Sequence, residues 1–285
     1  MTATTIAHTI DTTTVPPIDD TFALPIPAAP APSRIEVAQS VDDIMDAWRL
    51  VYESYRAKGL IASHRFRCHT APEAIQRGTT VTVKKRGDRT VASISCYRDG
   101  RQGLPLDKVY KADLDELRKQ GHRLGEIGLF AEHEDEPGCG PRDLFAFMRY
   151  PIFALHHQNV DQVVIGVHPR HAAFYRGMLG FVTAGATQRY SVVRNNPVVL
   201  LRFDLSKLES SAPAPRGLRY WREHRLEPET FENRFEFTKR KLANTSLPAY
   251  LEWLANGQES DTFTLADSKP RPKRAASHAL VAACA

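Results

Sequence analysis

Between Arg34 and Leu205 short apolar runs alternate with longer segments whose apolar residues recur every three or four positions, and these two periods separate strands from helices. The run IEVAQS after Arg34 reads as a strand. Val41–Lys58 places Ile44, Trp48, Val51, Tyr52 and Tyr55 on one helical face, with Gly59 as the natural stop. Thr79–Lys85 and Thr90–Cys96 are β-rich runs joined by Arg86, Gly87, Asp88 and Arg89, the pattern of a hairpin. Asp107–Gln120 gathers Tyr110, Leu114 and Leu117 on one side of a helix, which Gly121 ends before a strand at Leu124–Ala131. Pro141–Gln158 is a further helical stretch, and its interior Pro151 is expected to kink or split it. Val160–Val167 is too continuously apolar for a half-exposed strand and reads as a central one covered on both faces. A helix at Arg170–Leu179 follows. Thr187–Val193 and Val198–Leu205 then pair as a closing hairpin around Arg194, Asn195, Asn196 and Pro197.

This order predicts an α/β fold, a mixed β-sheet with helices on its faces. Residues 1–33 are Thr-rich and then Pro/Ala-rich, a composition that resists a packed core, and are read as a disordered tail. The folded domain is expected over 34–207. A linker and helical extension follow at 208–257, with helices at Glu227–Leu242 and Ser246–Ala255 packed on the domain or on a partner, and residues 258–285 read as a second disordered tail.

The 285 residues suffice for one sizeable core with appendages. Cys68, Cys96, Cys139 and Cys284 have neither disulfide-framework nor zinc spacing, so no metal is expected and a reducing cytoplasm fits. No apolar run approaches the roughly 20 residues of a membrane span. The start lacks the basic and apolar regions of a secretory signal, and a soluble protein is expected. The net charge of +5 is compatible with an acidic partner, while the basic stretch Lys269–Arg274 reads as a solvated tail and not as a nucleic-acid patch.

Four stretches are more specific: LVYESYRAKGLI (50–61), YRDGRQGLPLDKVY (97–110), RLGEIGLFAEH (123–133) and VHPRHAAFYRGMLGF (167–181). In this order they resemble the FeeM-type N-acyl amino acid synthases, GNAT-fold acyltransferases related to the acyl-homoserine-lactone synthases. The resemblance spans about 34–207. It implies transfer of a long-chain fatty acyl group from acyl carrier protein to the amine of an amino acid. The donor is then a phosphopantetheine thioester, with no permanently bound cofactor. The implied partners are acyl carrier protein, an amino-acid acceptor and, through the lipid product, a peripheral contact with a membrane.

Such a reaction needs a base or positioning group for the amine and donors for the oxyanion. Glu126 sits mid-strand among apolar residues, where burial would raise its pKa toward a useful value; strand alternation alternatively turns it to solvent or to Arg123. Gly125 and Gly128 beside it permit a bulge, so the amides near Gly128, Leu129 and Phe130 are candidates for clamping the thioester oxygen, ordinary strand glycines being the other reading. Arg170 and His171 bring positive charge to a helix start, to hold a pantetheine phosphate or an acceptor carboxylate, or to form a solvated face. Tyr175 resembles the tyrosine that protonates the thiolate in many GNAT enzymes, but it lies five residues before Gly180 where the common pattern has four, which leaves a core role open. His168 stands where that family often has Asn and is either a second acid or a buried imidazole. Tyr52 and Tyr55, like Phe145, Phe147 and Met148, line an acyl tunnel or belong to the core.

The stretch Glu134–Arg142 departs from the pyrophosphate cradle of coenzyme A-dependent relatives. Three acidic residues repel a pyrophosphate and two prolines remove amides, leaving at most a partial nest at Gly138 and Gly140. This favours a carrier protein as donor, and Arg142, Arg149, Arg170 and Arg176 are expected to meet its acidic surface. Two alternatives stay open: an acetyl-coenzyme A-dependent GNAT N-acetyltransferase, and a non-catalytic acyl-binding or scaffold protein in which Glu126 is dispensable.

Overall fold

The computed structural model describes residues 32–136 and 141–256. The expected tails at 1–33 and 258–285, apart from Pro32 and Ser33, and the glycines Gly138 and Gly140 lie outside them. The chain runs β1 (Ser33–Val37), α1 (Val41–Ala57), β2 (Thr80–Arg86), β3 (Arg89–Arg98), α2 (Asp107–Lys119), β4 (Leu124–Glu132) and α3 (Pro141–His157). It continues with β5 (Gln162–Val167), α4 (Pro169–Phe174), β6 (Val182–Thr183), β7 (Gln188–Tyr190), β8 (Asn196–Asp204), α5 (Arg216–Glu223), α6 (Lys239–Leu242) and α7 (Leu247–Ala255). The sheet order is β1-β2-β3-β4-β5-β8-β6, with β7 paired to β8 beside it. Every pairing is antiparallel except β4 with β5.

Two apolar layers cover the sheet. On one face α1 and α2 pack Trp48, Val51, Tyr55 and Leu114 against Val83, Leu129 and Val164; on the other, α3, α5 and the turn that follows α4 pack Phe147, Phe153, Trp221 and Tyr175 against Ile127, Phe130 and Ile165. Helix α1 starts where it does because Ser40 and Asp43 form a reciprocal capping box, and Lys85 of β2 reaches Asp43 at 2.6 Å, which ties the helix start to the sheet. It ends at Gly59, whose φ of +71° is open to glycine at little cost. Among the described residues no helix is long and apolar enough to cross a membrane.

Several expectations are corrected. Of the two outcomes expected at Pro151, the split does not occur: α3 is one helix from Pro141 to His157, since Ile152, Phe153 and Leu155 on the following turn are fully buried and their packing outweighs one lost backbone bond. The expected helix at Glu227–Leu242 is instead a short 3-10 turn at Pro228–Phe231 and the single turn α6. The linker contains an unexpected helix, α5, anchored by Trp221, whose indole N–H donates to the Phe145 carbonyl at 2.9 Å. The helix expected at Arg170–Leu179 divides into α4 and a π turn, Tyr175–Leu179.

Candidate active site

Strands β4 and β5 are in register at only three positions, Leu124 with Gln162, Gly125 with Val163 and Glu126 with Val164. Beyond Glu126 they part, and β4 bulges just past the parting point. Ser95 pairs with Gly128 and Ser93 with Ala131, so two residues, Leu129 and Phe130, face the single Ile94 across the ladder. Leu129 takes a φ of +50°, a left-handed conformation that costs a non-glycine residue on the order of 1 kcal/mol. The extra residue shifts the alternation: Glu126, Gly128 and Leu129 all line one cavity, while Phe130 turns to the other face and packs edge-on against Phe147 at 5.8 Å.

That cavity, of about 430 Å³, lies on the α1–α2 side of the sheet. Its floor holds Glu126, 2% exposed. The Leu106 amide donates to Glu126 Oε2 at 2.9 Å. Burial drives the Glu126 pKa well above the usual carboxylate range against the pull of this hydrogen bond, and nearby Glu73 and Asp107 raise it further. Tyr97 stands directly across the ladder from Glu126 and also lines the cavity; its hydroxyl is buried and has no hydrogen-bond partner among the described residues. Tyr190 donates its hydroxyl to the Pro105 carbonyl at 3.1 Å on the far wall. His69 is held down to about 4 by burial and by neighbouring His64 and Lys108, so its imidazole is neutral.

The stretch YRDGRQGLPLDKVY builds most of this arrangement. Arg118 bonds both Asp99 (2.6 Å) and Asp107 (2.7 Å), fixing the loop between β3 and α2, and Asp107 accepts from the Leu104 amide. The loop therefore presents Leu106 N–H to Glu126 at a set position. Gly166 of β5 lets Leu106 approach, because a Cβ there would meet Leu106 Cδ2 at 2.6 Å.

The sequence-derived candidates divide into two groups. Glu126, Gly128, Leu129 and Tyr55 share the cavity. Tyr52 sits behind its wall, its hydroxyl 3.1 Å from Ser63 Oγ and accepting from the His64 amide. Tyr175 is buried in the layer on the opposite face, edge-on to Phe174 and Phe181, and the π turn absorbs the extra residue between it and Gly180. His168 caps α4 by accepting the Arg170 amide at 3.2 Å, and Arg170 Nε donates to His171. Tyr175, His168, Arg170, His171 and the exposed Arg142 therefore do not converge with Glu126 in the cavity. The alternative pairing of Glu126 with Arg123 is not formed, since Arg123 bonds Asp161. Among the described residues no group of three or more His, Cys, Asp or Glu is placed to hold a metal.

Sequence reading missed Tyr97, whose role depends on strand register, and the contribution of α7. Tyr250, Trp253 and Leu254 of that helix form part of the cavity wall.

A family model described as N-acyl amino acid synthase FeeM matches residues 46–204. The chain belongs to this family of acyltransferases. The solved structure of FeeM, an N-acyl amino acid synthase from uncultured soil microbes, is similar at 24% identity with a TM-score of 0.55, covering 61% of this chain and 91% of that one. The AHL synthase LasI matches at 12% identity and a TM-score of 0.46 (61% and 91% coverage), and ElaA of Escherichia coli at 12% and 0.45 (61% and 100%). No curated protein sequence matches the chain. The FeeM-family fold is thus GNAT-like, as expected. The FeeM family match stops at 204, so α5, α6 and α7 lie beyond it.

Proposed function

We propose that the protein transfers a long-chain fatty acyl group from acyl carrier protein to the amine of an amino acid. The observation that carries this reading is Glu126, a buried carboxyl with a raised pKa, on the floor of a largely apolar cavity at the point where β4 leaves β5. In this mechanism the pantetheine arm enters the gap between the strands and lays the thioester carbonyl against the amides of the bulge at Leu129 and Phe130. The amine attacks from the cavity side, forming the C–N bond, and its surplus proton passes to Glu126 as base. Collapse of the intermediate breaks the C–S bond and releases the pantetheine thiolate. A thiol pKa near 8.5 makes that leaving group good enough to need little acid assistance, which agrees with the remote position of Tyr175. The amino-acid carboxylate is assigned to Arg194 and Lys108, two cations lining the same cavity, of which Lys108 is paired with Glu73 at 3.2 Å.

A carrier-bound donor is favoured over free coenzyme A by the acidic stretch Glu134, Asp135 and Glu136 ahead of α3, where Glu134 and Asp135 are exposed and Glu136 pairs with Arg86. Mass spectrometry of lipids from cells expressing the protein tests the reading. New long-chain N-acyl amino acids are expected, and Glu126→Gln, folded, is expected to lose them by a factor of roughly 10² to 10⁴. An undiminished product from that variant refutes the assignment of Glu126.

A further inference from the structure

Helix α7 lies beyond the family match yet places Tyr250, Trp253 and Leu254 in the wall of the cavity that holds Glu126. Its seat is well defined. Leu247 and Tyr250 are buried, and the Tyr250 hydroxyl donates to the Thr70 carbonyl at 3.1 Å, with His69 Nδ1 3.3 Å away. The segment leading to it is pinned over α1: the Phe235 amide donates to the Ala38 carbonyl at 2.7 Å, and Phe237 stacks on Trp48 with ring centres 5.7 Å apart. Tyr250 and Trp253 then meet the His64 ring at 5.4 and 5.0 Å and the Phe66 ring at 5.7 Å each. Trp253 and Leu254 are only partly buried, so apolar surface facing the cavity remains to be covered.

We infer that α7 is the end wall of the acyl-chain site and that Trp253 and Leu254 set the length of chain the protein accepts. This rests on the acyl transfer proposed above. The polar needs of an acceptor are met elsewhere in the cavity by Glu126, Lys108 and Arg194, whereas α7 offers rings and methyl groups, and its Tyr250 hydroxyl is already engaged. An aliphatic chain is the substrate portion that such a wall suits. Each methylene it covers contributes roughly fourfold to binding, so a wall at a fixed depth discriminates between chains differing by a few carbons. A longer chain must displace Trp253 or leave its terminal carbons in water.

The test uses the full-length protein and a series of saturated acyl thioesters of increasing length, comparing wild type with Trp253→Ala and Leu254→Ala, each shown to be folded by circular dichroism. Removing either side chain is expected to lower kcat/KM for the best wild-type donor by roughly tenfold and to move the optimum to longer chains. A second readout is fluorescence, because Trp48 and Trp221 are fully buried and an acyl-dependent change in emission should come from Trp253. Trp253→Phe is expected to abolish that change. An unaltered length profile in both alanine variants overturns the inference, as does an acyl-dependent emission change that persists in Trp253→Phe. Wild-type protein that shows the emission response but forms no N-acyl product with any donor would instead keep the wall and overturn the transfer reading.

Discussion

Glu126 has a consequence for stability as well as chemistry. Its pKa is raised in the folded protein, chiefly by burial, so the native state binds its proton more tightly than the unfolded chain does. The stabilisation from that proton is complete below the unfolded value of 4.5 and is lost as pH rises toward the native value, with a slope of up to about 1.4 kcal/mol per pH unit. Glu126→Gln stays neutral and escapes this loss. Its unfolding free energy in denaturant titrations is therefore expected to gain on wild type as the pH is raised from about 5 to about 8; a constant difference would mean that Glu126 is not buried as described. Asp43 behaves oppositely. Although burial alone would raise it, the hydrogen bond from Lys85 and the amides of Gln39 and Ser40 hold it at about 2. Its contribution is present above 3.8 and disappears as pH falls toward 2, and Asp43→Asn is expected to cost about 1 kcal/mol at neutral pH by loosening the start of α1.

At the scale of the element, β4 separates two uses of glycine. A Cβ on Gly125 would meet Leu155 Cδ2 at 2.7 Å and Val160 Cγ1 at 3.2 Å in a closed core, so Gly125→Ala is expected to cost about 1–3 kcal/mol. On Gly128 the same atom would find Tyr97 and Glu126 Oε1 at 3.6 Å or more. Gly128→Ala should keep the stability of wild type within about 1 kcal/mol but lower kcat/KM by roughly tenfold, because the methyl occupies the cavity floor. Equal destabilisation by both substitutions, measured by thermal unfolding, would contradict this division. The helix and strand periods made α1, α2, β4 and β5 legible in sequence, and Glu126 with its glycines could be found from them. The bulge that sends Leu129 and Phe130 to opposite faces was not legible, since one inserted residue leaves no periodic trace. Tyr97 was hidden for a related reason: only the β3–β4 register sets it across from Glu126. Tyr175 illustrates the reverse, a spacing anomaly visible in the letters whose meaning, a π turn, shows only in the folded backbone.

For the whole molecule, the sheet separates two approaches to the gap. The cavity lies on the α1–α2 side, while Arg142 and Arg176 are exposed on the elements that cover the opposite face. An acidic carrier would meet that second face. Arg142→Glu with Arg176→Glu is expected to slow transfer from a carrier-bound donor by roughly tenfold and to flatten its dependence on ionic strength, while a soluble pantetheine thioester is used as before. Equal slowing of both donors would place these arginines elsewhere in the mechanism. The bond between Tyr250 and Thr70 joins residues 180 positions apart. During synthesis the chain from Leu205 to Ala255 takes on the order of 3–10 s to emerge after the sheet is complete. Throughout that interval the trough beside Glu126 lacks one side and exposes oily surface to the ribosome exit and its chaperones. Maturation of the enzyme is thus timed by the translation of α7.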